Sequence, residues 1–221
     1  MMTQTAGAIS GGIVIDPGHS PKSPGAKSCT GKPEYLYDYE LATSVIAYLS
    51  SRNIPAALTR QVDQELSLTD RAKLAKEAKL LFSVHHDSVQ PQFIAWKNGR
   101  PFSNKAEGFS IFVSSLNAHY AKSLRYAQCL GIALRARRLL PSLHHAEKIA
   151  GENRKLIDSQ NGIYLFDDLV ILKKTEAPAI LFEAAVLVHP RDETRASSEL
   201  YRSQIAEAVA DMLECKSEAD K

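Results

Sequence analysis

The chain contains 221 residues, of which 44% are hydrophobic and 24% are charged. These proportions are typical of globular proteins, so we expect one domain with a sizeable core rather than a disordered chain. The formal net charge of +2 is too small for the basic surface of a nucleic-acid-binding protein. No apolar run reaches the length of about 18 residues that a membrane span requires.

The cysteines and the basic clusters also exclude several classes of protein. Cys29, Cys129 and Cys215 are far apart and lack C-x-x-C spacing, so we predict free thiols and neither a disulfide framework nor a thiolate zinc site. The densest basic cluster has no interleaved aromatic residues and is interpreted as a solvated helix face. It consists of Arg135, Arg137 and Arg138.

The composition does not change enough along the chain to indicate a second domain. The opening stretch, MMTQTAGAISGG, lacks the basic and apolar regions of a secretory signal. We therefore expect a flexible segment over residues 1–11, one folded domain over residues 12–215 and a tail over residues 216–221.

The first part of the chain alternates strand and helix patterns. The run IVI predicts a strand that stops at Pro17-Gly18, and a helix follows from about Tyr35 to Arg52-Asn53. AALTR and LLFSV then read as strands on either side of a helix, SLTDRAKLAKEA, that is capped near Ser67 or Thr69. This alternation predicts a partly parallel sheet covered by helices.

The second part of the chain has longer loops. PQFIAWKNGRPFSNKAE is predicted to be a polar loop, GFSIFVSS a strand and HYAKSLRYAQCLGIALRARRLL a helix that ends before Pro141. Residues 141–162 look irregular, with room for a short helix, whereas AILFEA reads as a strand and YRSQIAEAVADMLECK as a terminal helix. The predicted fold class is a single α/β domain with a mixed, mostly parallel sheet of about six strands and helices on both faces.

Titratable residues follow three apolar strands at their carboxyl ends. They are Asp16 and His19, then His85, His86 and Asp87, and then Glu183. In open α/β sheets, ligands bind outside the carboxyl ends of the strands, where residues distant in sequence converge. Two histidines and carboxylates brought together there fit a catalytic zinc ion, which takes about three protein ligands and leaves one position open.

The order of these motifs resembles the zinc-dependent N-acetylmuramoyl-L-alanine amidases, which cut peptidoglycan. That family has D-P-G-H-G, G-A, L-T-R, S-x-H-A followed by Asp or Asn, G-F and P-A-x-L-x-E. This chain has IDPGHS, PGAKSCTGKPE, ALTR, SVHHDS, EGFSIFVSS and PAILFEAAVLVHP in the same order, over residues 12 to 213.

The resemblance implies a set of site residues. His19 and His85 match the family's histidine ligands, and Glu183 matches the glutamate expected to handle protons. Glu34, Asp38 and Glu40 are the alternatives for the middle ligand, and a gap-free match from G-A to L-T-R favours Glu34. The implied cofactor is one zinc ion per chain.

The resemblance also implies a function. We expect a hydrolase that cleaves the amide bond between N-acetylmuramic acid and L-alanine in peptidoglycan or muropeptides, as a monomer in the bacterial envelope, the periplasm or the secreted fraction. EAAVLVHP replaces the family's E-x-G-F-x-S-N-P, which would alter the wall after Glu183. Two alternatives therefore stay open: a zinc amidohydrolase or peptidase for another amide, and an inactive peptidoglycan-binding module.

Polar residues beside these motifs have two interpretations each. His86 is a structural residue or a substrate contact, since adjacent residues of a strand point to opposite faces. Asp16 and Asp87 either orient an imidazole or form a turn with the local backbone.

Residues 141–162 offer a second polar group. His144 and His145 lack a third ligand at local spacing, so we predict that they are surface residues. Asn153 and Arg154 lie either in a solvated loop or in a loop that contacts a peptide carboxylate.

Overall fold

Seven strands form one mixed sheet in the computed structural model, which describes residues 11–215. Two further strands form a separate hairpin. In chain order the strands are β1 (Ile13–Pro17), β2 (Ala56–Leu58), β3 (Leu80–Asp87), β4 (Ala95–Lys97), β5 (Arg100–Phe102), β6 (Ser110–Val113), β7 (Lys155–Asp158), β8 (Ile163–Leu165) and β9 (Ala179–Val186).

The strands of the main sheet follow the order β2-β1-β3-β9-β6-β8-β7. The β2, β1, β3 and β9 strands run parallel to one another, and β6 runs parallel to β8. The β9–β6 and β8–β7 pairs are antiparallel. The predicted mixed, mostly parallel sheet is confirmed, with seven strands where about six were expected.

Helices cover both faces of the sheet, as predicted. They are α1 (Glu34–Ser51), α2 (Leu68–Leu74), α3 (Tyr120–Ala136), α4 (Val170–Lys174), α5 (Pro190–Ala196) and α6 (Glu199–Glu214). The larger core packs α1, α3 and α6 against one face, to which Ile13 and Ile15 point. The smaller core packs α2 and α4 against the other face, to which Val14 points. This alternation follows from the two-residue period of a strand. No described helix has the length and apolarity needed to cross a bilayer.

Local signals set the ends of two predicted helices. Ser67 is the N-cap of α2, where its hydroxyl oxygen accepts a hydrogen bond from the backbone N–H of Asp70 at 3.1 Å. The α1 helix ends at Ser51, and Asn53 follows with a φ of 55°, a left-handed conformation that asparagine tolerates.

Two loop predictions were wrong in part. The segment predicted to be a polar loop contains a short 3-10 helix and the β4–β5 hairpin, which turns at Asn98-Gly99 with φ values of 51° and 72°. Asn-Gly favours such a two-residue hairpin turn because both central positions need positive φ. The irregular segment over residues 141–162 contains a 3-10 helix, His144–Ala146, and also the strand β7. Neither strand of the hairpin nor β7 exceeds four residues, which is too short for a clear periodic signal.

The prediction of three free thiols was wrong for two of the cysteines. Cys129, in α3, and Cys215, directly after α6, form a disulfide with Cα atoms 6.2 Å apart. Cys29 is the free cysteine of the described chain. The pairing joins residues 86 positions apart, so sequence spacing gave no sign that α3 and α6 pack side by side.

The domain boundaries stay predictions. Residues 1–10 and 216–221 lie outside the described residues. Of the expected N-terminal segment only Gly11 is described, and the whole expected tail is outside the described residues.

The disulfide should stabilise the domain. Replacing both Cys129 and Cys215 with alanine is expected to lower the free energy of unfolding by about 2–5 kcal/mol, because the crosslink restricts the unfolded chain across a long loop. Urea unfolding under non-reducing conditions measures the change. Cys29→Ala is the matched control and should change stability by less than about 1 kcal/mol. Identical unfolding midpoints for the wild type and the double variant would contradict the prediction.

Candidate metal and catalytic site

Three of the predicted residues converge at the carboxyl ends of β1 and β3. His19 follows β1 by two residues, His85 lies in β3, and Glu34 is the first residue of α1. His19 Nε2 and His85 Nδ1 lie 3.0 Å and 3.3 Å from the same oxygen, Glu34 Oε1. One ligand atom from each residue lies within 4.8 Å of the other two. The parallel pairing of β1 with β3 creates this proximity.

The local backbone fixes how His19 faces the cluster. His19 has a φ of 55°, and its Nδ1–H donates to the carbonyl oxygen of Ser23 at 3.2 Å, which leaves Nε2 facing Glu34. Glycine is required nearby for space. A Cβ atom at Gly25 would collide with the Glu34 carboxylate and the His19 ring, and one at Gly18 would collide with the His85 ring.

Glu34 is held as an anion by its surroundings. Its Oε2 accepts a hydrogen bond from the backbone N–H of Ala26 at 2.7 Å, and the side chain is 5% exposed. Burial by itself would raise the pKa of Glu34, but hydrogen bonds and charges from His19 and His85 outweigh burial and lower this pKa. A carboxylate held ionised between two imidazoles is suited to a cation.

The donor set fits a zinc ion. Two imidazole nitrogens and one carboxylate oxygen form a common catalytic zinc set, and neighbouring ligand atoms around tetrahedral zinc are about 3.3 Å apart. The observed separations from Glu34 Oε1, 3.0 Å to His19 and 3.3 Å to His85, are close to that spacing. The hydrogen bond from His19 Nδ1–H to a carbonyl is the kind of outer contact that orients a ligand imidazole.

The alternative middle ligands lie elsewhere. Asp38 Oδ1 is 2.8 Å from His86 Nδ1 in the core beneath α1, and Glu40 pairs with Lys32. Burial raises the pKa of Asp38 well above its usual value and lowers the pKa of His86 to about 3. His86 is 3% exposed and points away from His85, in agreement with the structural interpretation.

Glu183 lies beside His85 on the neighbouring strand. The two residues are paired in the parallel register of β3 and β9, on the face covered by α2 and α4. Its Oε2 is shielded from solvent and has no hydrogen-bond partner among the described residues. Burial, followed by the negative charges of Asp87 and Glu34, raises the pKa of Glu183 well above its usual value. Such a carboxyl group can hold a proton near neutral pH.

One cleft of about 420 Å³ contains all four of these residues. Its wall also includes aromatic and aliphatic side chains, with polar groups from the loops that follow β3 and precede β7. The further lining residues that bear on chemistry are Asp87, Gln90, Phe112, His145, Glu152, Arg154 and Phe166.

The prediction that His144 and His145 are surface residues was wrong, since they are only 6% and 9% exposed. His145 lies between two carboxylates: Nε2–H donates to Asp87 and Nδ1–H to Glu152, each at 2.8 Å. An imidazole that donates from both nitrogens is a cation. Burial alone would lower the pKa of His145, but the charges and hydrogen bonds of Asp87 and Glu152 raise it to about 9.

No local pattern could have revealed this group. Asp87 and His145 are 58 residues apart, and only the fold places them in contact. Asp87 therefore orients the imidazole of His145 rather than that of a candidate ligand. Its carboxylate also accepts a hydrogen bond from the backbone N–H of Ser88 at 2.7 Å. Asp16 matches neither earlier interpretation, because its carboxylate accepts hydrogen bonds from the hydroxyls of Thr59 and Ser83 at 2.6 Å and 2.9 Å.

The segment that departs from the family motif does not line the cleft. Val186 and Val188 are buried in a small cluster with Val89 and Ala106. Among the described residues, the wall of the cleft is formed without any side chain that follows Glu183. The altered segment therefore lies behind the wall of the cleft, in a buried cluster that includes Val89, which is itself part of that wall.

These features define an α/β domain with a candidate metal site at the carboxyl edge of its parallel strands. A family model described as N-acetylmuramoyl-L-alanine amidase matches residues 13–215. The chain belongs to this family.

Two relatives illustrate how far the similarity extends. The probable cell wall amidase LytH of Staphylococcus saprophyticus is 26% identical over 203 residues, which cover 91% of this chain and 56% of LytH. The N-acetylmuramoyl-L-alanine amidase AmiA of Escherichia coli is 25% identical over 225 residues, which cover 90% of this chain and 73% of AmiA. The chain thus spans little more than half the length of LytH.

Solved structures share the fold. An N-acetylmuramoyl-L-alanine amidase from Clostridium difficile 630 has a TM-score of 0.72 at 24% identity, covering 93% of this chain and 96% of that one. The amidase Ami1 from Mycobacterium smegmatis has a TM-score of 0.71 at 22% identity, with the same coverage of both chains. At these identities the likeness supports the architecture rather than the roles of particular residues.

The charged state of His145 should make stability depend on pH. The pKa of His145 in the folded protein, about 9, lies above the usual value of 6.5. His145 therefore contributes most to the free energy of unfolding below about pH 6.5, and this contribution is lost as pH rises to about 9. The difference in unfolding free energy between wild type and His145→Gln should therefore shrink over that range. Urea unfolding at several pH values measures it, with exposed His119→Gln as control. A difference that stays constant with pH would contradict the assignment.

Proposed function

We propose that this chain is an N-acetylmuramoyl-L-alanine amidase, which hydrolyses the amide bond between N-acetylmuramic acid and L-alanine in peptidoglycan. The observation that carries the proposal is the cluster of His19, Glu34 and His85 beside Glu183 in a single cleft. Membership of the amidase family and the cell wall and amidase names of LytH and AmiA support the same reaction.

His19, Glu34 and His85 would hold one zinc ion. When bound, zinc polarises the scissile carbonyl and lowers the pKa of a water molecule, so that water attacks an amide near neutral pH. Glu34 is the anionic ligand that offsets part of the metal charge, and the hydrogen bond to Ser23 keeps the His19 imidazole in the correct orientation.

Glu183 would move the proton. Its carboxylate accepts a proton from the attacking water and delivers it to the amide nitrogen of L-alanine, so that the amine leaves uncharged. A carboxyl group with a raised pKa serves both steps, because it can bind and release a proton at the working pH. Its position beside His85 in the β3–β9 register supports the assignment.

The bacterial envelope is the proposed location, with peptidoglycan or muropeptides as the substrate and a monomeric chain. The Cys129–Cys215 disulfide supports this location, because disulfides persist in the oxidising surroundings of the periplasm and the cell surface. The names of the relatives agree with a role at the cell wall.

The two alternative functions have less support. A binding module without catalysis does not need Glu183, whose unpartnered Oε2 in the cleft is costly to keep. An amidase for a different substrate was suggested by the altered segment after Glu183, but no residue of that segment lines the cleft.

Metal analysis and peptidoglycan cleavage test the proposal together. Wild type should contain about one zinc per chain and release soluble peptide from purified peptidoglycan. His85→Ala should lose both zinc and activity. Glu183→Gln should keep the zinc and lose activity by about 10²–10⁴-fold, since it removes the proton carrier alone.

The matched control is Glu199→Gln, an exposed glutamate on α6, which should keep both zinc and activity. Wild-type protein purified without stoichiometric zinc, and unable to take it up, would overturn the metal assignment. Glu183→Gln with wild-type turnover would overturn the role of Glu183.

A further inference from the structure

Arg154 is the one lysine or arginine that lines the cleft in the described part of the chain. It shares this cleft with the proposed ligands and with Glu183. The other titratable groups of the wall are carboxylates and histidines. A permanent cation in such a place needs an explanation, because a bound metal ion in the same cleft would repel it.

The guanidinium is held in place by contacts that do not neutralise it. It stacks on the Phe166 ring, with Cζ 4.0 Å from the ring centroid, and Nη1 donates to the carbonyl oxygen of Glu152 at 3.2 Å. Nη2 makes a longer contact, 3.4 Å, to the carbonyl oxygen of Gly151. Within residues 11–215, none of these partners is a carboxylate. The positive charge is therefore free to pair with an anion that enters the cleft.

The nearby carboxylates are already engaged by other groups. Glu152 accepts from His145 at 2.8 Å and from the side-chain amide of Gln90 at 2.9 Å. Asp87 accepts from His145 and from the backbone of Ser88. Both carboxylates are thus hydrogen-bonded to His145, whereas the guanidinium of Arg154 donates to backbone carbonyls.

The same contacts fix the loop that carries Arg154. The backbone N–H of Arg154 donates to the carbonyl oxygen of His145 at 2.6 Å, and Gln90 also donates to the carbonyl oxygen of Gly151 at 3.2 Å. Asn153 adopts a φ of 69° at the turn. His145 in turn is anchored to Asp87, at the end of β3. The guanidinium is consequently preorganised relative to the strand that carries His85.

The proposed substrate has an anion on the amine side of the scissile bond. In peptidoglycan, the residue after L-alanine is D-glutamate linked through its side-chain carboxyl, so its α-carboxyl group is either free or amidated. This is the first ionisable group beyond L-alanine. A planar guanidinium binds a carboxylate through two parallel hydrogen bonds, whereas a carboxamide offers a single acceptor and no charge.

We propose that Arg154 binds the α-carboxylate of D-isoglutamate and makes the enzyme selective for stem peptides in which this group is not amidated. The inference rests on the proposed function and adds a specificity-determining residue to it. The sequence left two interpretations of Asn153 and Arg154, a solvated loop and a loop that contacts a peptide carboxylate. The geometry supports the second interpretation for Arg154.

The test uses two soluble substrates that differ at one group: an N-acetylmuramoyl peptide that contains D-isoglutamate and its D-isoglutamine counterpart. Wild-type zinc enzyme should have a kcat/KM about 10- to 100-fold higher for the acid, the range expected for a charge-assisted hydrogen-bonded pair. Arg154→Gln should remove this preference by lowering kcat/KM for the acid and leaving kcat/KM for the amide unchanged. Arg154→Lys should keep part of it, because the charge remains while the planar fork is lost.

Lys155→Gln is the matched control, since Lys155 is the exposed neighbour in β7 and should keep the full preference. Thermal unfolding and zinc content show whether each variant is folded. A second readout is binding of both ligands to Glu183→Gln and to the same variant with Arg154→Gln, which measures selectivity without turnover.

The outcomes separate the two proposals. Equal kcat/KM for the acid and the amide in wild type, or equal loss on both in Arg154→Gln, would overturn the role of Arg154 while peptidoglycan cleavage upholds the proposed function. Failure to cleave peptidoglycan or either peptide with zinc bound would overturn the proposed function itself. The assignment is supported if Arg154→Gln loses the preference in both turnover and binding, and if only the acid is turned over more slowly and bound more weakly.

Discussion

The shared contact of two imidazoles with one oxygen of Glu34 is the constraint on which the rest of the site depends. His19 and His85 come from adjacent parallel strands, and the helix that begins at Glu34 brings the carboxylate between them. Without a cation, this arrangement crowds polar atoms at the edge of an apolar core. Gly18 and Gly25 cannot be replaced by a larger residue without displacing the proposed ligands, because a Cβ atom at either position would occupy their space.

The charged groups of the cleft form two separate sets. In the first, the Glu34 carboxylate faces the two imidazoles, where a divalent ion would be held. In the second, the imidazolium of His145 hydrogen-bonds both Asp87 and Glu152. The raised pKa of Glu183 arises first from burial and then from the negative charges of Asp87 and Glu34. The cation of Arg154 has no carboxylate partner among the described residues.

Adjacent residues of β3 point to opposite faces of the sheet, one to the candidate site and the next to the core. His85 points to the face that carries Glu183, whereas His86 points to the opposite face and pairs with Asp38 in the core beneath α1. The two-residue period of a strand makes this separation unavoidable. The same period explains how a buried strand can end in titratable residues: some of them serve the cleft and the others are paired inside the core.

The sequence by itself determined the fold class, a helix start near Ser67 or Thr69 and the motif positions of the candidate site. Each of these depends on residues that lie close together or follow a fixed order along the chain. It could not reveal the Asn98-Gly99 hairpin clearly, since the strands beside it have only three residues each. Tertiary structure alone decided the Cys129–Cys215 disulfide and the pairing of His145 with Asp87. Those partners are 86 and 58 residues apart, and contacts that close such long loops leave no periodic pattern in the chain.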